Sequence, residues 1–230
     1  MVQRVVRQAQ EANLTQDITL ATNASQLDII TNQLGESVSV VTEPERRDTF
    51  PAIALAASYL KLQKQLDDNE VVVIMPCDPY TELAYFHTIA KMKECVEKNV
   101  ADLVLMGITP TYPSEKYGYI IPSSLGNVSF VDTCKEKPDR DTAAEYIRQG
   151  ALLNGGVFAF RLGYVLEKAH ELILKGSIDG GMIPKVRACI TALSGGAKKT
   201  HIIDGRAEHT IVMEILSDKG VGTEVVKELK

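Results

Sequence analysis

The run Val71–Met75 (VVVIM) constrains the fold most, because it is wholly apolar and ends abruptly at Pro76-Cys77-Asp78. Such short apolar runs are typical of strands covered on both faces of a parallel sheet. Helical stretches alternate with further β-rich runs on both sides of it, which indicates α/β layering around a mostly parallel sheet. We therefore expect a three-layer α/β domain in which Val71–Met75 is an interior strand with Asp78 just beyond its end.

Local patterns predict the neighbouring elements. Strands are expected at Asp17–Thr22 and Ser37–Thr42, and a helix between them with Ser25 as its N-cap completes a β-α-β unit. Further helices are predicted at Pro51–Leu66, Glu82–Asn99, Thr142–Gln149 and Leu162–Leu174, and further strands at Asp102–Ile108, Val128–Cys134 and Leu153–Phe160. Residues Thr109–Ser124 are rich in Pro, Tyr, Ser and Gly, which favours loops and short antiparallel strands of the kind that line binding sites.

The C-terminal segment differs from the preceding residues in composition and pattern. It begins with a Gly-rich turn, and its pattern predicts helices at Pro184–Leu193 and Glu208–Leu216 with a strand at Thr200–Ile203 between them. A chain of 230 residues fits one large domain, or one domain with a smaller one. We expect a boundary between residues 1–175 and 176–230.

Charge and composition exclude several classes of function. Thirty acidic residues against 25 Lys and Arg give a net charge of −5, so there is no global basic field for a nucleic-acid backbone. The sequence has no apolar run of about 18 residues and no signal-peptide pattern, which predicts a soluble cytoplasmic protein without a membrane partner. The four cysteines are far apart and the four histidines lack metal-ligand spacing, so neither a zinc site nor a disulfide framework is indicated.

Asp78 is the first candidate for chemistry. Open α/β sheets bind ligands beyond the carboxyl ends of their strands, where a carboxylate can hold Mg²⁺ against substrate phosphates. An Asx-turn, in which the side chain bonds the backbone before Tyr80, is an equally good interpretation.

A second group precedes the helix that is predicted from Pro51. Arg47 and the backbone donors of a helix N-terminus can face an anion or a purine edge. Asp48 or Thr49 can instead simply cap the helix, and both interpretations stay open.

The remaining candidates lie in turns. Gly118 lies between two tyrosines, and Asn154 precedes two glycines, so a ligand can approach the backbone closely and Asn154 can bind hydroxyls. Ordinary turns are the alternative there, and a solvated turn is the alternative for Lys137. Lys185 follows a glycine turn at the start of a helix, as in a phosphate cradle, but without the Walker sequence.

Several ordered segments together resemble mannose-1-phosphate guanylyltransferases over about residues 1–175. They are TEPERRDTFPAIALAA from Thr42, VVVIMPCDPY from Val71, MGITPTYPSEKYGYIIP from Met106, EKPD from Glu136 and LNGGVFAF from Leu153. The resemblance implies a Rossmann-like nucleotidyltransferase three-layer sandwich, Mg²⁺ as cofactor, and GTP and a sugar phosphate as substrates. In the implied reaction a sugar-1-phosphate oxygen attacks the α-phosphorus of GTP and pyrophosphate leaves.

Site residues follow from the resemblance by position. It implies that Asp78 holds Mg²⁺ and that Lys137 contacts the sugar phosphate, so these two would be catalytic. The other implied contacts are Arg47, Asp48 and Thr49 with the nucleotide, and Gly118, Glu136 and Asn154 with the sugar.

The chain also departs from that family. Family members begin with a strand and a Gly-rich loop whose Arg and Lys bind the triphosphate, and this sequence starts after that point. The resemblance therefore implies a fold incomplete at its N-terminus, with weak or no turnover. Leu153 stands where the family has Trp before Asn. A homo-oligomer is one way to cover the exposed sheet edges, and a monomer is the alternative.

Residues 176–226 resemble a different family. The stretch GGMIPKVRACITALSGGAKKTHIIDGR from Gly180, followed by GVGT, is similar to the C-terminal part of acetylglutamate kinases, which have an amino-acid-kinase fold. There Lys185 would lie near ATP phosphates, and Asp179 is the only match for a second metal-binding Asp of the guanylyltransferases. The chain thus looks like a joined product of two families, and a natural fusion, an engineered chimera and an assembly artefact all fit. A non-catalytic nucleotide-binding module and a kinase-like ATP binder are the alternative functions.

Overall fold

The computed structural model describes residues 1–15, 17–35, 37–43, 49–174, 199–202 and 223–226. The chain divides into two compact units, one formed by residues 1–70 with 161–230 and the other by residues 71–160. The boundary expected near residue 175 stays a prediction, since the segment that follows it lies outside the described residues.

The first unit contains a parallel β-α-β arrangement, as predicted. Strand β1 (Thr19–Asn23) pairs in parallel with β2 (Ser39–Glu43), and α2 (Leu27–Leu34) connects them. Ser25 is not the N-cap of this helix, so that prediction is wrong. A short 3₁₀ turn at Ala24–Gln26 comes first, and Ser25 Oγ donates instead to Asn23 Oδ1 at 2.6 Å.

Three longer helices complete the described helices of this unit. They are α1 (Val2–Glu11), α3 (Thr49–Leu62) and α6 (Leu162–Leu174), the last with its predicted bounds. The amide groups of Leu162 and Gly163 donate to the carbonyls of Glu70 and Asp68, each at 2.9 Å. The first turn of α6 therefore finds backbone acceptors that its own helix cannot supply.

The second unit is built around a five-stranded sheet. Its elements are β3 (Val71–Ile74), α4 (Leu83–Glu97), β4 (Leu103–Ile108), β5 (Tyr119–Pro122), β6 (Val131–Lys135), α5 (Arg140–Arg148) and β7 (Leu152–Arg161). Strand β7 has both β3 and β5 as neighbours and also pairs antiparallel with β4. The hairpin β5–β6 confirms the short antiparallel strands expected after residue 109.

The expectation that Val71–Met75 is an interior strand is wrong for this unit. Among the described strands β3 has β7 as its only neighbour, and its four residues are half-buried. Strands β7 and β5 each have neighbours on both sides, and in β7 the side chains of Val157, Ala159 and Phe160 are buried. An apolar run reports burial of a strand's faces and carries no information about how many strands flank it.

Helix α4 supplies much of the core in this unit. Four of its side chains are buried at helical spacing, and they are Phe86, Ile89, Met92 and Val96. The helix packs on β3 and β4. None of the described helices combines the length and the apolar character that crossing a bilayer requires.

The C-terminal part is described only as a pair of strands. Strand β8 (Lys199–Ile202), close to its predicted position, pairs antiparallel with β9 (Thr223–Val226), which the sequence did not predict. The helices predicted at Pro184–Leu193 and Glu208–Leu216 lie outside the described residues.

Asp139 caps helix α5. Its Oδ1 accepts hydrogen bonds from the amide groups of Asp141 and Thr142 at 3.1 and 3.0 Å, and its Oδ2 accepts one from Thr142 Oγ1 at 2.7 Å. The bonds from Thr142, together with that from Asp141, lower the pKa of the Asp139 carboxyl below its ordinary value.

We predict that Asp139→Ala lowers the thermal midpoint at neutral pH, whereas Asp139→Asn, which keeps a capping oxygen, lowers it less. A carboxyl whose folded pKa is lowered stabilises the fold above its unfolded pKa, and this contribution is lost as pH falls through the folded value. The wild-type advantage over Asp139→Asn should therefore begin to decline near the ordinary value of 3.8 and vanish only below the lowered pKa of the folded protein. Calorimetric scans at several pH values measure the difference in thermal midpoint between the wild type and Asp139→Asn. A difference that persists at low pH would contradict the capping role of the Asp139 carboxylate.

Candidate active site

Asp78 lies where the sequence predicts it, beyond the end of β3, and its side chain is exposed. Burial raises the pKa of Tyr85, in the first turn of α4, and the negative charge of Asp78 raises it further. Asp78 therefore acts electrostatically on the start of α4. An accessible carboxylate in this position can bind a cation.

A glycine of β7 meets the loop that carries Asp78. Gly156 has φ = +68°, a conformation that favours glycine, and a Cβ there would lie 3.5 Å from Pro76 Cγ. Asn154 Oδ1 accepts a hydrogen bond from the Gly156 amide at 3.0 Å. The Asn-Gly-Gly segment thus lies against the loop after β3.

Asn154 also joins β7 to the loop before β5. The backbone amide of Asn154 donates to the Gly118 carbonyl at 2.9 Å. A Cβ on Gly118 would lie only 2.9 Å from Glu136 Oε1, so Gly118 provides room for the Glu136 carboxylate. The structure therefore brings together Gly118, Glu136 and Asn154, which the sequence places 18 or more residues apart.

Strand pairing explains this convergence. Tyr119 lies opposite Lys135 in the β5–β6 hairpin and opposite Leu153 of β7. Gly118 consequently lies just before β5, Glu136 just after β6, and Asn154 beside them within β7. They offer a peptide group, a carboxylate and an amide, a set that can hydrogen-bond sugar hydroxyls.

Lys137 follows Glu136 in a strained backbone conformation. Its φ is +41° although it is not glycine and precedes Pro138. Such outliers concentrate at functional sites. Lys137 is exposed and directly follows Glu136 in sequence. The turn therefore offers an ammonium cation and a carboxylate that can accept hydrogen bonds from hydroxyl groups.

The Glu136 charge also acts on the neighbouring hairpin. The pKa of the Cys134 thiol is raised, first by partial burial and then by Glu136. This thiol therefore stays protonated at neutral pH and is a poor nucleophile.

Of the other predicted site residues, the structure describes only Thr49. Thr49 is the first residue of α3 and is exposed in the first unit. Arg47, Asp48, Asp179 and Lys185 lie outside the described residues. Within the described part of the chain, no three Asp, Glu, His or Cys side chains form a group able to hold a metal ion.

The sequence does not indicate that the buried Tyr119 supports the cluster. Tyr119 is fully buried, and its hydroxyl bonds both backbone groups of Ser114. In the sequence this residue is only one of two tyrosines that flank Gly118, and no periodicity separates the buried one from the exposed Tyr117.

Comparison with known proteins identifies the family and the fold. The sequence pattern of the family described as "Nucleotidyl transferase" matches residues 1–177. A solved structure of "mannose-1-phosphate geranyltransferase" from Thermus thermophilus is similar over 78% of this chain and 49% of its own, with a TM-score of 0.60 and 28% identity. The "mannose-6-phosphate isomerase" of Helicobacter pylori matches 87% of this chain and 73% of its own, with a TM-score of 0.65 and 22% identity, which supports the fold alone.

A short segment has different relatives. The acetylglutamate kinase of Moorella thermoacetica is 66% identical over 59 residues, which is 26% of this chain and 20% of the kinase. That of Pelotomaculum thermopropionicum is 61% identical over 57 residues, which is 25% of this chain and 19% of the kinase. The chain thus spans about a fifth of these kinases and about half of the Thermus protein.

The expected Rossmann-like nucleotidyltransferase fold is confirmed by the mixed α/β architecture together with these structural neighbours. The family pattern covers well over half of the 230 residues, and it includes every residue of the cluster around Asn154. The chain therefore belongs to the nucleotidyl transferase family.

Proposed function

We propose that this protein is a sugar-1-phosphate nucleotidyltransferase that uses GTP and mannose 1-phosphate. A phosphate oxygen of the sugar 1-phosphate forms a bond to the α-phosphorus of GTP, the bond from that phosphorus to the β-phosphate oxygen breaks, and pyrophosphate leaves. One observation carries the proposal: hydrogen bonds connect Gly156, Asn154 and Gly118, while Gly156 lies near Pro76 and Gly118 near the Glu136 carboxylate. The 28% identity to the Thermus protein, whose name includes mannose 1-phosphate, supports mannose 1-phosphate as the sugar substrate.

The donor set fits Mg²⁺. Magnesium ions are usually held by one or two carboxylates plus the oxygens of substrate phosphates. Asp78 supplies one exposed carboxylate, and the proposed second ligand, Asp179, lies outside the described residues. When bound, Mg²⁺ would neutralise negative charge on the phosphates. Asp78 would hold the ion in place.

The remaining residues bind and orient the sugar phosphate. Glu136 accepts hydrogen bonds from sugar hydroxyls, and the Gly118 backbone allows the ring to approach closely. Asn154 bonds a further hydroxyl, while the Lys137 ammonium neutralises the sugar phosphate. Nucleotidyl transfer depends mostly on such positioning and charge neutralisation. The nucleotide roles of Arg47, Asp48 and Thr49 are part of the same proposal.

The second candidate is a module that binds ATP without nucleotidyl transfer. The short segment similar to acetylglutamate kinases favours it, with Lys185 as the phosphate ligand. Binding assays separate the candidates without requiring turnover. Isothermal titration with mannose 1-phosphate, Mg²⁺·GTP and Mg²⁺·ATP is the test. Binding of ATP alone would contradict the first candidate and support the second.

We predict that Asp78→Ala weakens Mg²⁺·GTP binding about tenfold to a hundredfold, as expected when a charged ligand group is lost. In EDTA the wild type and the variant should bind GTP equally, because the carboxylate acts through the ion. Asp102→Ala, which removes an exposed carboxylate just before β4, is the matched control and should bind like the wild type. Equal Mg²⁺·GTP affinities for all three proteins would remove Asp78 from the site.

We also predict that Gly118→Ala lowers affinity for mannose 1-phosphate about tenfold with little change in the thermal midpoint. The new methyl group would lie 2.9 Å from Glu136 Oε1, so this flexible carboxylate must move away. Gly126→Ala is the control, because its Cβ would meet only the Val128 carbonyl, at 3.6 Å. Undiminished sugar-phosphate binding by Gly118→Ala, measured by titration calorimetry, would argue against a sugar subsite here.

A further inference from the structure

The loop that presents Gly118 is fixed by two hydrogen-bonded anchors. At the first, the Tyr119 hydroxyl accepts from the Ser114 amide at 2.8 Å and donates to the Ser114 carbonyl at 3.1 Å. Both residues are buried, with 0% and 4% of their surfaces exposed. One phenol thus satisfies both backbone polar groups of a buried residue and closes the loop from 114 to 119.

The second anchor connects this loop to the turn that carries Glu136 and Lys137. Glu115 Oε1 accepts a hydrogen bond from the amide of Arg140, the first residue of α5, at 3.2 Å. Helix α5 begins three residues after Lys137. The carboxylate therefore ties the loop to the end of that turn, and a negative charge at a helix N-terminus is favourable.

Packing makes the first anchor rigid. The Tyr119 ring forms a buried cluster with Ala143 of α5 and Ala151, which precedes β7. Tyr146, also on α5, packs on this cluster with its ring centroid 6.0 Å from that of Tyr119. One side chain therefore holds the loop to the helix that follows the Glu136 turn and to the start of the strand that carries Asn154.

We propose that Tyr119 and Glu115 are positioning residues for the sugar-phosphate subsite, an inference that rests on the proposed function. Neither touches the sugar. They fix the distance between the Gly118 backbone and the Glu136–Lys137 turn, and binding of a small polyhydroxyl ligand depends steeply on that distance. Loss of either anchor should weaken sugar-phosphate binding while nucleotide binding is unchanged.

The test is isothermal titration of Tyr119→Phe with mannose 1-phosphate and with Mg²⁺·GTP. We expect about tenfold weaker binding of the sugar phosphate, because the Ser114 peptide loses its partner and the loop shifts, and unchanged nucleotide binding. Tyr146→Phe removes a hydroxyl from the ring packed beside Tyr119 and should leave both affinities unchanged. Wild-type sugar affinity in Tyr119→Phe, or equal loss of both ligands, would overturn the inference.

The Glu115 variants decide the question if Tyr119→Phe does not fold. Glu115 is exposed, so its replacement leaves the core intact. Glu115→Ala should lose sugar-phosphate affinity, whereas Glu115→Gln keeps an acceptor for the Arg140 amide and should bind within about threefold of the wild type. Equal affinities in these two variants would overturn the inference. Absence of mannose 1-phosphate binding by the wild type would instead show that the proposed function is wrong.

Discussion

The hydrogen bond from the Asn154 amide to the Gly118 carbonyl is the constraint on which the candidate site depends. It joins β7 to the β5–β6 hairpin at the residue just before β5 begins. On the other side of the same segment, Gly156 lies against Pro76, whose loop carries Asp78. Residues from four separate stretches of sequence thereby become neighbours, because β7 pairs with three strands.

Much of this architecture could be predicted from the sequence. The apolar and helical periodicities located most elements to within a few residues, and α6 was predicted with the bounds it has. The parallel β1–β2 pair followed from its β-α-β pattern. The sequence and the family resemblance point to Gly118, Glu136 and Asn154, and the structure brings these three residues together. Their roles in binding remain predictions.

The sequence does not predict the order of the strands or the hydrogen bonds between buried residues. An apolar run looks the same in a strand with one neighbour as in a strand with two, so the sequence predicts for β3 an interior place that β7 holds instead. Ser25 has the chemistry of an N-cap, but an intervening 3₁₀ turn separates it from α2. The bond between Tyr119 and Ser114 depends on the three-dimensional path of an irregular loop, which no periodicity encodes.

In the proposed function, Asp78 and the cluster around Asn154 belong to one continuous site. Nuclear magnetic resonance of ¹⁵N-labelled protein with GDP-mannose and Mn²⁺, which replaces Mg²⁺ and broadens nearby signals, tests it most directly. If the site is continuous, we expect strong broadening of the amide signals at Asp78 and Gly156, and shifted signals at Gly118 and Asn154 when the same ligand is added with Mg²⁺. Broadening confined to other parts of the chain, or no shift at Gly118 and Asn154, would contradict it.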